Sequence, residues 1–249
     1  MVKKAGLAEQ FFIHGFDLSG DVGSLQRVNS PVALLDVTAI NKSAVERLQG
    51  LADGQIAFNT WFDDGANLEH TALKGLVTTD RITLWALGGA ISDVAAMLVA
   101  KQMNYDPTRG ADGSLAISVE CLGATGVGME WGEMLTAGKI THASATNGTS
   151  QDNTASTANG LAALLELVSL ATGTVTVVVQ ESSDNGGADQ FAAKATFTAV
   201  AAASAPTAER ITATGTVERY LRVATTGTFT TAVFAVAIRR GTAQDRVAY

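Results

Sequence analysis

Residues 174–179 read Thr-Val-Thr-Val-Val-Val, a run of β-branched side chains. Branching at Cβ crowds the preceding turn of a helix but packs well on a pleated surface, so this segment is committed to a strand. Similar stretches occupy residues 161–170, 191–200, 211–217, 220–224 and 230–239. Turn signals such as Asp184-Asn185-Gly186-Gly187 and Thr226-Gly227 separate them. Short strands so spaced predict a sandwich or jelly roll. In residues 161–170, Leu161, Leu164, Leu165 and Val168 also sit at helical spacing, so a helix is the competing reading there.

The N-terminal half shows the same alternation less cleanly. Residues 1–10 read as a flexible arm, and residues 32–40 as a strand behind Pro31. Ser43 and Glu46 have capping-box spacing, with Val45, Leu48 and Leu51 at three-residue steps. This predicts a helix stopped by Gly50 and Gly54. Residues 55–62 alternate Ile56, Phe58 and Thr60 as a half-buried strand does. A short second helix is expected over residues 67–76, capped by Asn67, and a strand over 81–87. Residues 90–105 fit either a helix or a turn leading into a strand. Residues 115–121 and 128–135 read as a strand pair across the turn at Gly123-Ala124-Thr125-Gly126. From 141 to 160 the composition shifts to Ser, Thr, Asn, Ala and Gly, read as a linker or as polar strands joined by loops. The expected division is therefore a β domain at 1–140 and a β-sandwich at 141–249.

Composition narrows the function. Charged residues make up only 16% of the 249, against about 25% in an average soluble domain. A chain so poor in charge has faces that neighbouring subunits can cover, although Thr, Ser and Asn can also supply the surface. The net charge of −7 argues against tight nucleic-acid binding, which needs clustered Lys and Arg, but not against passive passage of DNA. No apolar run is long enough for a membrane helix, and Ala5 to Gln10 is no signal-peptide core. Cys121 is the single cysteine, so no intrachain disulfide can form.

Reactive constellations are scarce. His14, His70 and His142 have no ligand partner at metal spacing, and His14 sits among Phe11, Phe12, Ile13 and Phe16 as a structural histidine would. Cys121 reads as a buried thiol. Asp63-Asp64-Gly65 reads as a turn rather than a catalytic pair. The glycines at 123, 126 and 128 have neither the spacing nor the following helix of a phosphate cradle. Residues 184–189 resemble a calcium loop only loosely. No catalytic residue, cofactor or metal is expected. Arg219, Tyr220, Arg222 and Arg239 form the candidate cluster, followed by Arg240. It reads as a subunit contact or as cross-strand pairing with Glu209 or Glu218.

Two sets of segments carry a family resemblance. The first runs from Asp17-Leu18-Ser19-Gly20 through Leu35-Asp36-Val37-Thr38 and residues 48–64 to Thr79-Asp80 and Asn104-Tyr105-Asp106-Pro107. The second comprises Gln180-Glu181-Ser182-Ser183-Asp184, Glu209-Arg210, Val217-Glu218-Arg219-Tyr220-Leu221-Arg222 and Phe234. Together they resemble the major tail proteins, the tail-tube subunits, of siphophages infecting actinobacteria. The resemblance implies a mainly β fold, a β-sandwich or partial barrel with one flanking helix, and a C-terminal sandwich. It also implies a non-enzymatic virion protein assembled in the host cytoplasm. Its partners would be copies of itself in hexameric rings stacked around a tape-measure protein, with terminator and tip proteins at the ends and DNA passing through. A head-decoration or head–tail connector protein is the alternative within the virion. A glycan-binding sandwich is the alternative outside that class; sugar sites present an aromatic platform, whereas Trp61, Trp85 and Trp131 all precede the C-terminal half.

Overall fold

The computed structural model describes residues 5–243 and 247. Residues 1–4 of the expected arm lie outside that range, and Gln10 already begins a strand. The chain is mainly β, as its composition predicts. The first half runs β1 (Gln10–Ile13), β2 (Phe16–Asp17), β3 (Val22–Asn29), β4 (Val32–Asp36), β5 (Arg47–Ala52), β6 (Gln55–Trp61), α1 (Glu69–Leu73), β7 (Arg81–Ala86) and β8 (Val94–Gln102). There follow β9 (Asp106–Arg109), β10 (Leu115–Gly123), β11 (Glu130–Met134), β12 (Ile140–His142) and β13 (Gln151–Asp152). The remainder is β14 (Leu161–Ser182), β15 (Ala192–Thr196), β16 (Val200–Ala201), β17 (Thr207–Ala213) and β18 (Tyr220–Arg240). One sheet has the strand path β15-β14-β18-β11-β8-β10-β6-β3, and β4 and β5 form a separate two-stranded sheet.

Four expectations change. Residues 43–51 are not helical, because residues 47–52 pair with β4, with Leu35 opposite Leu48. Glu46, expected to close a capping box with Ser43, instead donates its N–H to the Thr38 hydroxyl at 2.8 Å. The flanking helix is α1, shorter than expected and without a side-chain cap from Asn67, which has φ 63°. Strands β10 and β11 do not pair with each other, since β8 lies between them. Thr226-Gly227 is no turn between strands: β14 and β18 are continuous partners from Leu161 opposite Arg240 to Ser182 opposite Tyr220. The polar stretch before β14 is strands and loops, with β12 and β13 both paired to β18.

The β14–β18 ribbon makes the C-terminal sandwich by folding over on itself. Leu161, Leu165, Val175, Val179, Phe234 and Val223, from both halves of the ribbon, share one buried cluster. Between the halves, residues 171–174 and 226–228 are exposed. Gly173 and Gly227 mark this corner, with φ 81° and 104°. A Cβ on Gly173 would lie 2.1 Å from the Thr228 carbonyl oxygen, and one on Gly227 2.4 Å from that of Thr174. Only glycine lets the two backbones approach so closely at positive φ.

A second cluster fills the N-terminal part: Phe11, Ile56, Phe58, Leu98, Ile117 and Val119, covered by Ala72 and Leu73 of α1. Cys121 lies in it, and burial pushes its thiol up to about 12. A third cluster joins Phe12, Leu84 and Met97 to Leu164, Ala235 and Ala237 across the β11–β18 junction. The same junction holds a buried ion pair in which Glu130 takes Arg210 at 2.5 and 2.9 Å and Arg239 at 3.3 Å.

Two buried carboxyls make stability depend on pH. Glu166 of β14 is fully buried and accepts the Gly15 N–H from the β1–β2 turn. Burial drives its carboxyl well above the usual range. Glu69 of α1 is also buried; desolvation, with Asp21 and Asp63 adding to it, pushes its carboxyl up to about 7. A raised folded-state value means that the native chain binds more protons than the unfolded one. Stability is then full below the unfolded carboxyl value and falls as pH rises through the folded one. Glu69→Gln should therefore gain on the order of 1–3 kcal/mol over the parent at pH 8 and nothing at pH 4. Urea melts at the two pH values measure this, and an equal gain at both would contradict it.

Candidate assembly surface

The hairpin β4–β5 is the part of the molecule whose surface is least accounted for by its own chain. None of its residues is buried. Leu34, Leu35, Leu48 and Leu51 are exposed, with Leu51 at 87%, and Val32, Val37 and Val45 are exposed beside them. Ile40 at the tip is fully open. A two-stranded hairpin without a third layer is marginal in water, so local polar bonds must hold this one. The Asp36 carboxylate accepts the Thr38 N–H at 2.9 Å and its hydroxyl at 2.6 Å, Val37 donates to the Glu46 carbonyl at 3.0 Å, and Lys42 pairs with Glu46 at 3.6 Å. At the base the Asp53 N–H reaches the Pro31 carbonyl at 2.8 Å. The chain thus builds an ordered arm with apolar residues on both faces. Contiguous apolar area of this kind marks a contact site, since burying each such side chain contributes ~1.5–3 kcal/mol.

The candidate cluster is not one patch. Arg219 makes a bidentate pair with Asp152 at 2.7 Å twice, and lies over the Tyr220 ring at 4.9 Å. This guanidinium holds the Asp152 carboxyl down to about 2. Arg222 stacks over Phe191 at 4.0 Å and donates to Gln180 at 2.8 Å. Arg239 is at the other end of β18, in the Glu130 ion pair. Neither Glu209 nor Glu218 is among these partners: Glu209 accepts the Thr198 N–H and hydroxyl at 2.7 and 2.8 Å. Sequence reasoning missed the arm because its leucines fitted a helix. The excess of apolar residues over any core that could receive them was the available signal.

The loop and turn carboxylates that the sequence singled out are bonded locally. Asp184 accepts N–H groups of Gly187, Ala188 and Asp189, and Asp189 accepts that of Ser183, so the loop resembling a calcium site uses its carboxylates on its own backbone. Asp63 accepts the Gly65 N–H at 2.9 Å, as a turn requires. His70 Nδ1 lies 2.7 Å from the Tyr105 hydroxyl. Among the described residues no group of three or more His, Cys, Asp or Glu could hold a metal ion, and no helix is long and apolar enough to cross a membrane.

No family model and no curated protein matches the chain. Among solved structures it is similar to SPP1 Dit, described as a paradigm of the hub adsorption apparatus in phages infecting Gram-positive bacteria. The identity is 13% and the TM-score 0.37, over 94% of this chain and 100% of that one. It is similar also to the phage p2 baseplate in its activated conformation with Sr, at 10% identity and TM-score 0.32, over 94% and 99%. The p2 baseplate with Ca gives 10% and 0.29, over 92% and 98%. At these values the likeness assigns neither family nor role.

Proposed function

We propose that the chain is a non-enzymatic structural subunit of a phage tail, assembling with copies of itself into rings that stack as the tail tube. The observation carrying this reading is the β4–β5 arm, a separate two-stranded sheet with no buried residue and with apolar side chains exposed on both faces. A second copy supplies cover of matching chemistry, and a closed ring is the usual way in which identical subunits satisfy such a surface. The phage assignment rests on the tail-protein resemblance of residues 17–107 and 180–234. The low charge and acidic balance fit a wall made largely of joints, past which DNA slides without adhering. In this reading the ribbon sandwich decorates the tube or strengthens contact between rings.

Sedimentation and negative-stain microscopy of the purified chain test the self-assembly, with rings or tubes expected. Immunogold labelling of virions tests the place, with label expected along the tail. A monomer at high concentration that is absent from tails contradicts the proposal. Label confined to the head or to one end of the tail assigns it to another virion component.

A further inference from the structure

We propose that the cleft where β11 meets the C-terminal end of β18 is a binding site for a neutral saccharide. It is independent of the assembly arm and of the role in the tail. The cleft is an open depression of about 480 Å3 between Trp131 and Glu133 of β11, Arg240 of β18, and the Gln151-Asp152-Asn153-Thr154 segment. Strand alternation puts Trp131 and Glu133 on one face of β11, and Glu130 and Met134 on the other, in the core. Gly132 between them faces the core with Glu130 and Met134, where a Cβ would lie 2.1 Å from the Ile238 carbonyl oxygen, so glycine lets β11 lie close on β18 beneath the cleft.

The Trp131 indole is a fixed platform although 45% of it is exposed. Ala96 stands opposite both Trp85 and Trp131 in the ladders on its two sides. Its small side chain lets the two indoles meet edge to face, with centroids 6.3 Å apart and planes at 88°. Trp85 is anchored in turn, its Nε1–H donating to Glu9 at 3.1 Å. An exposed aromatic face held in one orientation suits the C–H face of a pyranose, which is apolar and flat.

The polar wall suits the rest of such a ring. Glu133, Asp152 and Arg240 are the charged groups of the lining, and Asp152 is already paired with Arg219 beside it, which leaves one acid and one base facing the cleft. A quaternary ammonium or a phosphate would leave part of that set unmatched; a polyol, whose hydroxyls both donate and accept, leaves none. Two groups there have unused capacity. Gln151 is buried and its Oε1 has no partner, while its Nε2 donates to Asn153 at 3.2 Å; Arg240 Nε also has no partner. The rim at Thr154 is held at φ 64°, a strained conformation of the kind that collects at binding sites. The aromatic platform absent from the C-terminal sequence is thus supplied by the N-terminal half.

The test is a printed array of neutral mono- to tetrasaccharides probed with the full chain, with choline and inorganic phosphate titrated as charged controls. Hits are then followed by tryptophan fluorescence. Expected is a neutral-saccharide hit whose affinity falls about tenfold or more in Trp131→Ala and in Glu133→Gln, and stays within about threefold in Trp131→Phe. Melting curves establish that each variant is folded. No neutral-saccharide binding by the parent chain, binding unchanged in both Trp131→Ala and Glu133→Gln, or binding of only the charged probes overturns the proposal.

Discussion

A chain carrying Leu35→Asp and Leu48→Asp is expected to remain monomeric where the parent forms rings or tubes. The two leucines face each other across the hairpin and are 50% and 56% exposed. Neither supports the core, so the melting temperature should change by no more than about 2 °C. Burying the exposed half of each against a neighbour would contribute ~1.5–3 kcal/mol per joint, one to two orders of magnitude in association constant. Placing two carboxylates opposite each other replaces that gain with desolvation and repulsion. Sedimentation velocity of parent and variant at equal concentration reads the difference. If the variant assembles as the parent does, the arm is not the joint.

Gly173→Val is expected to be the most destabilising single change in the C-terminal half. The added Cβ meets the Thr228 carbonyl oxygen at 2.1 Å, and φ 81° is a region that β-branched residues avoid. The loss should be on the order of 3–5 kcal/mol, with poor soluble yield. Gly215 supplies the control: its φ is 77° but nothing lies within 4 Å of a Cβ. Gly215→Ala should lose only ~1 kcal/mol. Denaturant melts of the two variants decide the matter. Equal losses would mean that backbone conformation alone, and not the close approach of the two strands, makes the corner.

The strand content was legible because β-branched runs admit few alternatives. Where strands end was less so. The Thr226-Gly227 pair reads as punctuation, yet it sits inside a continuous strand, as Gly173 does opposite it, and the two bend the ribbon without breaking its ladder. A glycine that ends a strand and one that folds it are the same letter, and only the partner backbone separates them. The arm was misread for a related reason. Val45, Leu48 and Leu51 satisfy a helical period, but β4 offers its leucines as cross-strand neighbours and Thr38 takes the N–H of Glu46. The saccharide cleft was not legible at all: Trp131, Gln151 and Arg240 lie far apart in sequence and meet because β11 pairs with the end of β18, β13 with its start, and the ribbon folds those two ends together.

The long β14–β18 ladder also sets the order in which the molecule can be made. β14 is translated before β18, so one of its permanent neighbours is missing while it is made. During that interval β15, β16 and β17, which pair with β14 in the finished protein, are the native segments available to shield the nascent chain. Completion waits for the last residues of β18, whose arrival also supplies the pairing surface for β11, β12 and β13. Closure of the whole molecule therefore waits on pairing between segments far apart in sequence, slow as sheets built that way are.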